Sequence, residues 1–491
     1  MAPYAFLSFL AGTALTLAIA PAHAVTIHTP ENAAPRPAVE DLPLRESVSQ
    51  HGITWTFAEP ARVGRFVTGD WYVVGPVRIV AIDPEPADGR NGSMLNVDAT
   101  IGRAGFDSRI PFGRFDEELY LAPPIDLSPG DTLLSSISKD EDVKPMLWRV
   151  GADQRSPIST VAALTCLAEP VPADAFRPAY AGGVHEIHLA RHLRRDLLPS
   201  LPRDGIAFVA HQGGPDHPFT LADVERWFER PWIDLAMDEF TAPVHNMPVY
   251  GREFSRAVGI ASLLLVLDHS PEQKETLLLR LVQLGIDLWG LTQQGQPVTW
   301  TPLGGHGHGR KWPIVFAGLM LDDDAMRSPT RTRPELIFSE DAQTAFEQSW
   351  TGAGVIYGGH MGTEGHPTGR PGWGQYEHLP PEQWEFNAES WRRCCTSSAW
   401  VGMALAARIL HAEDHWNHDA FFAYVDRWMT EDDTEHIQRI EEAQGWDYSA
   451  TWARQGFVYD SFVRDMWNRY RENVPPGPDG QTPPPASRTW R

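Results

Sequence analysis

The sequence predicts an α+β multidomain chain, in which a β-sandwich-like domain is followed by an α/α toroid of helical hairpins. Short runs rich in Val, Ile, Thr and aromatic residues alternate with turn-forming residues from residue 51 to 170. Long segments with one apolar side follow between residues 231 and 474. The 491 residues also exceed what one hydrophobic core usually supports, so we expect two domains.

The first 24 residues predict a signal peptide. An apolar run from Ala5 to Ala20 is followed by Ala-His-Ala at 22–24, the small-x-small pattern of a signal-peptidase site. We therefore expect a mature chain that starts near Val25 and is secreted or periplasmic. No other stretch is long and apolar enough to span a bilayer, so no further membrane association is expected. An uncleaved anchor is the alternative, because the segment contains no Lys or Arg.

The first domain is predicted from three stretches typical of strands. Residues 25–50 are Pro-rich and polar, which indicates an arm in front of that domain. GITWTF (52–57), WYVVGPVRIVAI (71–82) and LYLAPPI (119–125) follow, separated by turn signals such as PEPADGRNGS. Short strands at this spacing are typical of a sandwich.

The second domain is predicted from helical periodicity that begins after a connecting region at 171–230. REFSRAVGIASLLLVLDHS (252–270) and PEQKETLLLRLVQLGIDLWGLTQQ (271–294) meet at Ser-Pro, which suits a helix start and predicts a helical hairpin. Five further segments predict helices: WPIVFAGLMLDD (312–323), EDAQTAFEQSW (340–350), TSSAWVGMALAARILHA (396–412), HDAFFAYVDRWMTE (418–431) and FVRDMWNRYREN (462–473). The Pro-rich tail at 475–491 is predicted to be disordered.

The composition excludes some partners. Lys and Arg number 41 against 64 Asp and Glu, a net charge of −23, which argues against binding to nucleic acid. A local cluster of cations can still receive an anionic ligand. Three Cys cannot form a disulfide framework, and the adjacent pair Cys394 and Cys395 is poorly placed for an ordinary bridge, which favours buried inert thiols.

No cofactor or metal is predicted. His188 and His192 stand four residues apart, but the segment around them is not H-E-x-x-H, because position 189 is Leu. The chain also contains no G-x-S-x-G and no P-loop pattern.

Three loops combine polar residue types that suit a binding site. GGHGHGRKWP (304–313) places two His, one Arg and one Lys before a helix N-terminus, where backbone N–H groups favour an anion. HNMPVYGRE (245–253) places polar groups before a long helix. NAESWRRCCTSSAW (387–400) carries two Arg and a Cys that could serve as a nucleophile. The alternative is structural: the cations pair with acidic neighbours, and the polar groups cap and pack the helices.

A fourth segment, from Thr351 to Ser390, is too long and irregular for an ordinary connection, which indicates a functional loop or disorder. Its aromatic residues favour order and could stack on sugar rings. The predicted catalytic residues are Tyr250, His306, His308, Asn246 and His245. The predicted substrate-binding residues are Arg252, Arg310, Lys311, His360, Trp373, Tyr376, Arg392 and Arg393.

These residue types suit β-elimination in a polymer of uronic acids. The reaction needs the carboxylate neutralised, the C5 proton removed by a base and the leaving oxygen protonated. Asn, Arg, Lys and His can do the first, and His or Tyr the second and third. The expected partner is therefore an acidic polysaccharide or oligosaccharide.

The signal peptide, the β-rich module and the helical region with His, Asn, Tyr and Arg in its loops resemble the toroid polysaccharide lyases, which include alginate lyases and heparinase II/III-like enzymes. In the alginate lyases an Asn and a His neutralise the carboxylate while a Tyr or His transfers protons, and the resemblance implies these parts for His245, Asn246 and Tyr250. The β module precedes the helices here, whereas it usually follows them in that group.

Two other functions remain open from the sequence. A glycoside hydrolase would use a pair of carboxylates. The candidates for that pair are Asp238, Glu239, Glu364, Glu377 and Glu389. A non-catalytic glycan-binding protein would hold sugar on the aromatic loops without chemistry.

Overall fold

The fold is mixed α+β, with a curled sheet in the N-terminal part and a helical region after it. The computed structural model describes residues 26–27, 35–110, 113–141, 147, 157–183, 186–211, 216–234, 245–248, 250–294, 300, 302–359, 376–384 and 389–477. The predicted signal peptide and most of the predicted tail lie outside these ranges. No helix within them is long and apolar enough to cross a membrane.

The first nine strands in chain order are Thr26–Ile27 (β1), Leu44–Gln50 (β2), Ile53–Arg65 (β3), Trp71–Val74 (β4), Val77–Asp83 (β5), Ser93–Leu95 (β6), Ile125–Leu127 (β7), Thr132–Ser138 (β8) and Ile158–Leu167 (β9). Strands β2 to β9 form one eight-stranded sheet in the order β6-β8-β9-β4-β3-β5-β7, with β2 also paired to β3. Strands β4 and β9 are parallel, and the other neighbours are antiparallel. Strand β2 corrects the prediction of an arm, because residues 44–50 pair with β3 instead of standing apart.

Both faces of the sheet are buried, each against a different core. On β8 and β9, Leu133 and Leu164 point into a core enclosed by the sheet itself. Their neighbours Leu134 and Ala163 point the other way, into the large core shared with the helices. This alternation follows the two-residue period of a strand. The sheet therefore curls around its own apolar face while its other face carries the helical region.

Two small pairs of strands lie beyond the sheet. Strand Glu186–Ile187 (β10) pairs in parallel with β1, and Val209–His211 (β11) pairs with Asp216–Pro218 (β12).

The helical region contains most of the predicted helices. The helices are Leu221–Trp227 (α1), Gly251–Leu265 (α2), Pro271–Thr292 (α3), Lys311–Leu321 (α4), Asp324–Arg327 (α5), Pro329–Thr332 (α6), Ser339–Ala342 (α7), Glu389–Trp391 (α8), Ser397–Ile409 (α9), Glu413–Trp416 (α10), Asp419–Thr430 (α11), Thr434–Gln444 (α12) and Ser461–Tyr470 (α13). Helix α3 starts as predicted: Ser270 accepts a hydrogen bond from the Gln273 N–H at 3.3 Å, and Pro271 occupies the first turn.

The helix predicted at 340–350 is wrong. Only α7 forms there, and the chain then enters a short strand, Thr344–Ala345 (β13), which pairs with Ile356–Tyr357 (β14). The Gly358 N–H donates to the Gln343 carbonyl at 2.8 Å. In a continued helix that carbonyl would instead accept a hydrogen bond from within the helix. Pairing with a strand further along the chain therefore overrides the local periodicity.

Helices α2 and α9 approach each other closely where both carry glycine. A Cβ built on Gly259 would lie 3.1 Å from the Gly402 Cα, which is closer than ordinary van der Waals contact. Small residues at a crossing let two helix backbones come together. The same two helices begin beside the candidate site, so this contact helps to position it.

Substituting Gly259 by Val tests this crossing. The added methyl groups must push α2 and α9 apart, so we expect the free energy of unfolding to fall by roughly 1–3 kcal/mol in a denaturant titration. Ala222→Val on α1, at an exposed position, is the control, and it should change stability by less than about 1 kcal/mol. Equal losses in the two variants would contradict close packing at Gly259.

Candidate functional site

Three of the predicted loops meet at one junction. The Tyr250 hydroxyl oxygen accepts a hydrogen bond from the Gly305 N–H at 2.9 Å. The Tyr250 ring packs edge to face with the His306 ring, with centroids 4.7 Å apart. Tyr250 also packs against Cys395, which belongs to the π-helical turn Arg392–Thr396 in front of α9. Parts of all three loops therefore lie together at this junction.

Glycine is required where these loops touch. A Cβ on Gly305 would collide with the Cys395 carbonyl oxygen, and one on Gly251 would collide with the His306 carbonyl oxygen. Both residues therefore hold backbone against backbone. We call this junction, with Tyr250 and His306 at its centre, the tyrosine–histidine junction.

The adjacent cysteines form a disulfide, contrary to the expectation of inert thiols. Cys394 and Cys395 are bonded to each other across one peptide unit, while the buried Cys166 keeps its thiol. The tight turn brings the two side chains to the same side. The sequence argued against this bridge because the Cα atoms of bridged cysteines are usually farther apart than those of adjacent residues. Because the bridge packs against Tyr250, it forms one wall of the junction.

His308 lies behind the junction and is fully buried. Its Nδ1 accepts a hydrogen bond from the Trp400 indole N–H at 3.2 Å, so its Nε2–H donates to the Gln343 amide oxygen at 2.6 Å. These two contacts select the neutral tautomer and fix the ring. His308 is therefore built into the packing of α9, and no face of it reaches solvent.

The two cations of the glycine-rich loop are held by carboxylates. Arg310 donates through Nε to Asp234 at 2.8 Å and through Nη1 to the carbonyls of His306 and His308 at 2.8 and 2.6 Å. Lys311 forms an ion pair with Asp341. Burial lowers the pKa of the Lys311 ammonium, and Asp341 offsets part of this effect. Both cations shape the loop from inside the protein.

Arg392 and Arg393 are also paired and buried. Arg392 lies 3.0 Å from oxygens of both Glu377 and Glu389, and Arg393 donates to Glu389 at 2.6 Å. Burial alone would raise the pKa of the Glu389 carboxyl, but the two arginines outweigh it and lower that pKa to about 2. Tyr376 donates its hydroxyl to the same carboxylate and is buried.

The loop at 245–253 divides its residues between two places. Asn246 donates to the carbonyls of Trp227 and Arg230 at 3.1 and 3.0 Å and is buried. Arg252 bonds to Glu253 and, at 2.8 Å, to the Cys394 carbonyl, so it supports the junction from below. His245 lines a separate groove beside the sheet. His360 and Trp373 lie outside the described residues.

Two residues near the junction were not predicted. Tyr459 donates its hydroxyl to the Cys394 carbonyl at 2.7 Å, and its ring lies under the Arg252 guanidinium at 4.5 Å. His211 packs against Tyr459, with ring centroids 5.6 Å apart. The available signal was a tyrosine close to a helix start: Tyr250 is the N-cap residue of α2, and Tyr459 comes directly before Asp460, the N-cap residue of α13.

The half-buried side chains at this place are His306, Trp391, Cys394, Tyr459 and His211. Together they present aromatic rings, two imidazoles and a disulfide. Within the described ranges, no group of three His, Cys, Asp or Glu is arranged to hold a metal ion. The chain matches no known protein-family description, no curated protein and no solved structure. Any assignment of function therefore depends on the fold and on this arrangement of side chains.

Thiol counting tests the disulfide. Protein isolated without reductant and then denatured should show one reactive thiol per chain, from Cys166, and three after reduction. Cys166→Ser is the matched control, for which we expect none before reduction and two after it. Three reactive thiols in the unreduced wild-type protein would contradict the bridge. Burial raises the pKa of the Cys166 thiol to about 12, so it should not react in the folded state.

Stability against pH tests the buried Glu340, which accepts a hydrogen bond from the Gly309 N–H of the glycine-rich loop. Burial raises the pKa of its carboxyl from 4.5 to about 7. The folded state therefore binds this proton more tightly, and the resulting stability is present below about pH 4.5 and lost as pH rises through about pH 7.

Relative to Glu340→Gln, wild-type protein should lose up to about 3 kcal/mol of unfolding free energy across that window, measured by denaturant titration. The exposed Glu435→Gln is the control and should follow the wild-type curve. Parallel curves for wild type and Glu340→Gln would show that the carboxyl is not buried as described.

Proposed function

We propose that this protein is a carbohydrate-active enzyme, a polysaccharide lyase that cleaves a uronic-acid polymer by β-elimination. The observation that carries the proposal is the contact between Tyr250 and His306, two proton-transfer groups with ring centroids 4.7 Å apart where three loops meet. Tyr and His are the residue types that such an elimination uses to move protons.

In this reaction a base removes the proton at C5, the C4–O4 bond breaks and a C4=C5 double bond forms. The leaving oxygen takes up a proton. The Gly305 N–H donates to the Tyr250 hydroxyl oxygen at 2.9 Å, a contact of the kind that stabilises developing negative charge on that oxygen. We assign Tyr250 to the removal of the C5 proton and His306 to the protonation of the leaving oxygen.

The half-buried surface around the junction suits a saccharide. Trp391 and Tyr459 provide ring faces of the kind that stack on sugars, and His211 adds a polar group beside Tyr459. Four cations predicted to bind substrate are instead buried against carboxylates: Arg310, Lys311, Arg392 and Arg393. We therefore assign them to stabilising the loops and not to binding substrate.

Two of the five carboxylates considered for a hydrolase, Glu377 and Glu389, are held by arginines. A glycosidase needs one carboxylic acid that can give up a proton near neutral pH. Glu389 has a pKa lowered to about 2, and Glu377 is bound by Arg392 and by both terminal nitrogens of Arg427 at 2.9 Å. The other three carboxylates considered, Asp238, Glu239 and Glu364, lie outside the described residues.

We further infer that the helical region is an α/α toroid and that the sheet domain is sandwich-like. The hairpin of α2 and α3, and the packing of α3 on α4 and of α2 on α9, support the first. The apolar core that the curled sheet encloses supports the second. The signal-peptide pattern supports a secreted or periplasmic protein.

The experiment is to incubate purified protein with alginate, polygalacturonate and hyaluronan, and to follow both new reducing ends and the ultraviolet absorbance of unsaturated sugar. We expect both signals to rise together on one of these polymers. Reducing ends without the absorbance would indicate a hydrolase, and binding without either would indicate a glycan-binding protein.

Tyr250→Phe removes only the hydroxyl and should lower kcat by roughly 100-fold or more, because general acid–base groups contribute that much. His306→Gln should have a similar effect. Tyr120→Phe is the matched control, since it removes a half-buried hydroxyl bonded to the Arg90 carbonyl in the sheet domain. Wild-type kcat in a folded Tyr250→Phe variant would overturn the assignment.

A further inference from the structure

A groove lies between one end of strands β8 and β9 and the helical region, and none of its lining residues belongs to the tyrosine–histidine junction. Lys139, which follows β8, and Ser159 and Thr160 of β9 form one side of it, and Arg230 and His245 form the other. The groove is open to solvent, and its volume, including that open space, is about 870 Å³. Ligands often bind where two structural units meet.

Arg230 is the buried end of this groove. Arg230 is only 8% exposed. Its Nη1 donates to the Ser159 carbonyl at 3.1 Å and to the Thr160 hydroxyl at 3.0 Å. Within the described residues its one carboxylate neighbour is Glu229, at 3.4 Å from Nε, and Nε makes no hydrogen bond. A buried guanidinium with a single ion-pair partner and an Nε that makes no hydrogen bond is a place where an anion can bind.

A second arginine extends the same charge inward. Arg230 also lines a narrow cleft, with room for about one water molecule, together with Arg280 on α3. Arg280 donates through Nη1 to the Glu225 carbonyl at 2.8 Å, and no carboxylate of the described residues lies within 4 Å of it. Burial lowers the pKa of both guanidinium groups, as expected where carboxylates do not compensate for it.

The carboxylates nearby do not cancel these charges. Asp70 and Asp287 line the narrow cleft, but both bind Arg177, at 3.2 and 2.6 Å. Glu229 remains beside the two arginines in the narrow cleft. In the open groove Glu141 faces Lys139, whose ammonium makes no ion pair with the described residues. Three cations therefore face two carboxylates in a protein whose net charge is −23.

We propose that this groove binds the carboxylate groups of an acidic saccharide, as a second site apart from the reaction centre. Lys139 and Arg230 receive the charge, and Arg280 adds positive charge in the narrow cleft behind Arg230. Ser159, Thr160 and His245 provide hydrogen-bonding groups for the sugar hydroxyls. The choice of ligand rests on the proposed function. His245 and Tyr250 are five residues apart, at most roughly 18 Å in an extended chain, so one polymer can reach both sites.

The test uses Tyr250→Phe protein, in which turnover is expected to be at least about 100-fold slower, and measures binding of a galacturonate trimer and an alginate trimer by calorimetry at low ionic strength. In that background, Lys139→Gln and Arg280→Gln should each raise Kd roughly 10-fold, since the first removes a charged contact and the second removes positive charge behind Arg230. Arg78→Gln is the matched control, because it removes an exposed cation on β5 that pairs with Asp126. The methyl-esterified trimers, which lack the charge, should bind equally to all four proteins.

An unchanged Kd in both Lys139→Gln and Arg280→Gln would overturn the groove as a binding site, as would tight binding of the esterified trimers or no binding of either acidic trimer. The two proposals are distinguishable in this design. Groove-dependent binding without unsaturated product from wild-type protein would remove the lyase and leave the site. Unsaturated product with binding indifferent to the groove would remove the site and leave the lyase.

Discussion

Buried arginines that must each meet a carboxylate hold the helical region together around the junction. Arg392, Arg393 and Arg427 are almost fully buried, and they meet Glu377 and Glu389 between them. Removing one partner of such a buried pair strongly destabilises a protein, by roughly 3–5 kcal/mol, because a charge is left uncompensated. The two glutamates therefore anchor the ends of the long connection before α9 to the π-helical turn and to α11.

This charge balance decides which groups can meet a ligand. An arginine that already donates to two carboxylates has little attraction left for a third, so the cations of the loops act as supports. What remains at the junction is a tyrosine, two histidines and aromatic faces. The cations Arg230, Arg280 and Lys139 lie apart from the junction, in the groove and the narrow cleft beside the sheet.

Much of the helical region was predictable because local and tertiary preferences agree there. The apolar periodicity of α2, α3, α9 and α11 matches the faces that the fold buries, and the Ser-Pro start of α3 is a local signal. The prediction failed at 340–350, where Thr344 pairs with Tyr357 in a strand. The prediction also failed at 44–50. This strand is mostly exposed, so its sequence lacks the alternation of apolar and polar residues that indicates a strand.

By itself the sequence determined the mixed composition of the fold, the order of its parts, most helix starts, and the loops that supply the candidate site, because these follow from periodicity, capping residues and glycine spacing. Only the tertiary structure decided the partners of the charges. Arg310 pairs with Asp234, 76 residues away, and Arg230 donates to Ser159 and Thr160, 71 and 70 residues away. Electrostatic attraction depends on distance in space, and the spacing of charges along a chain does not contain that distance.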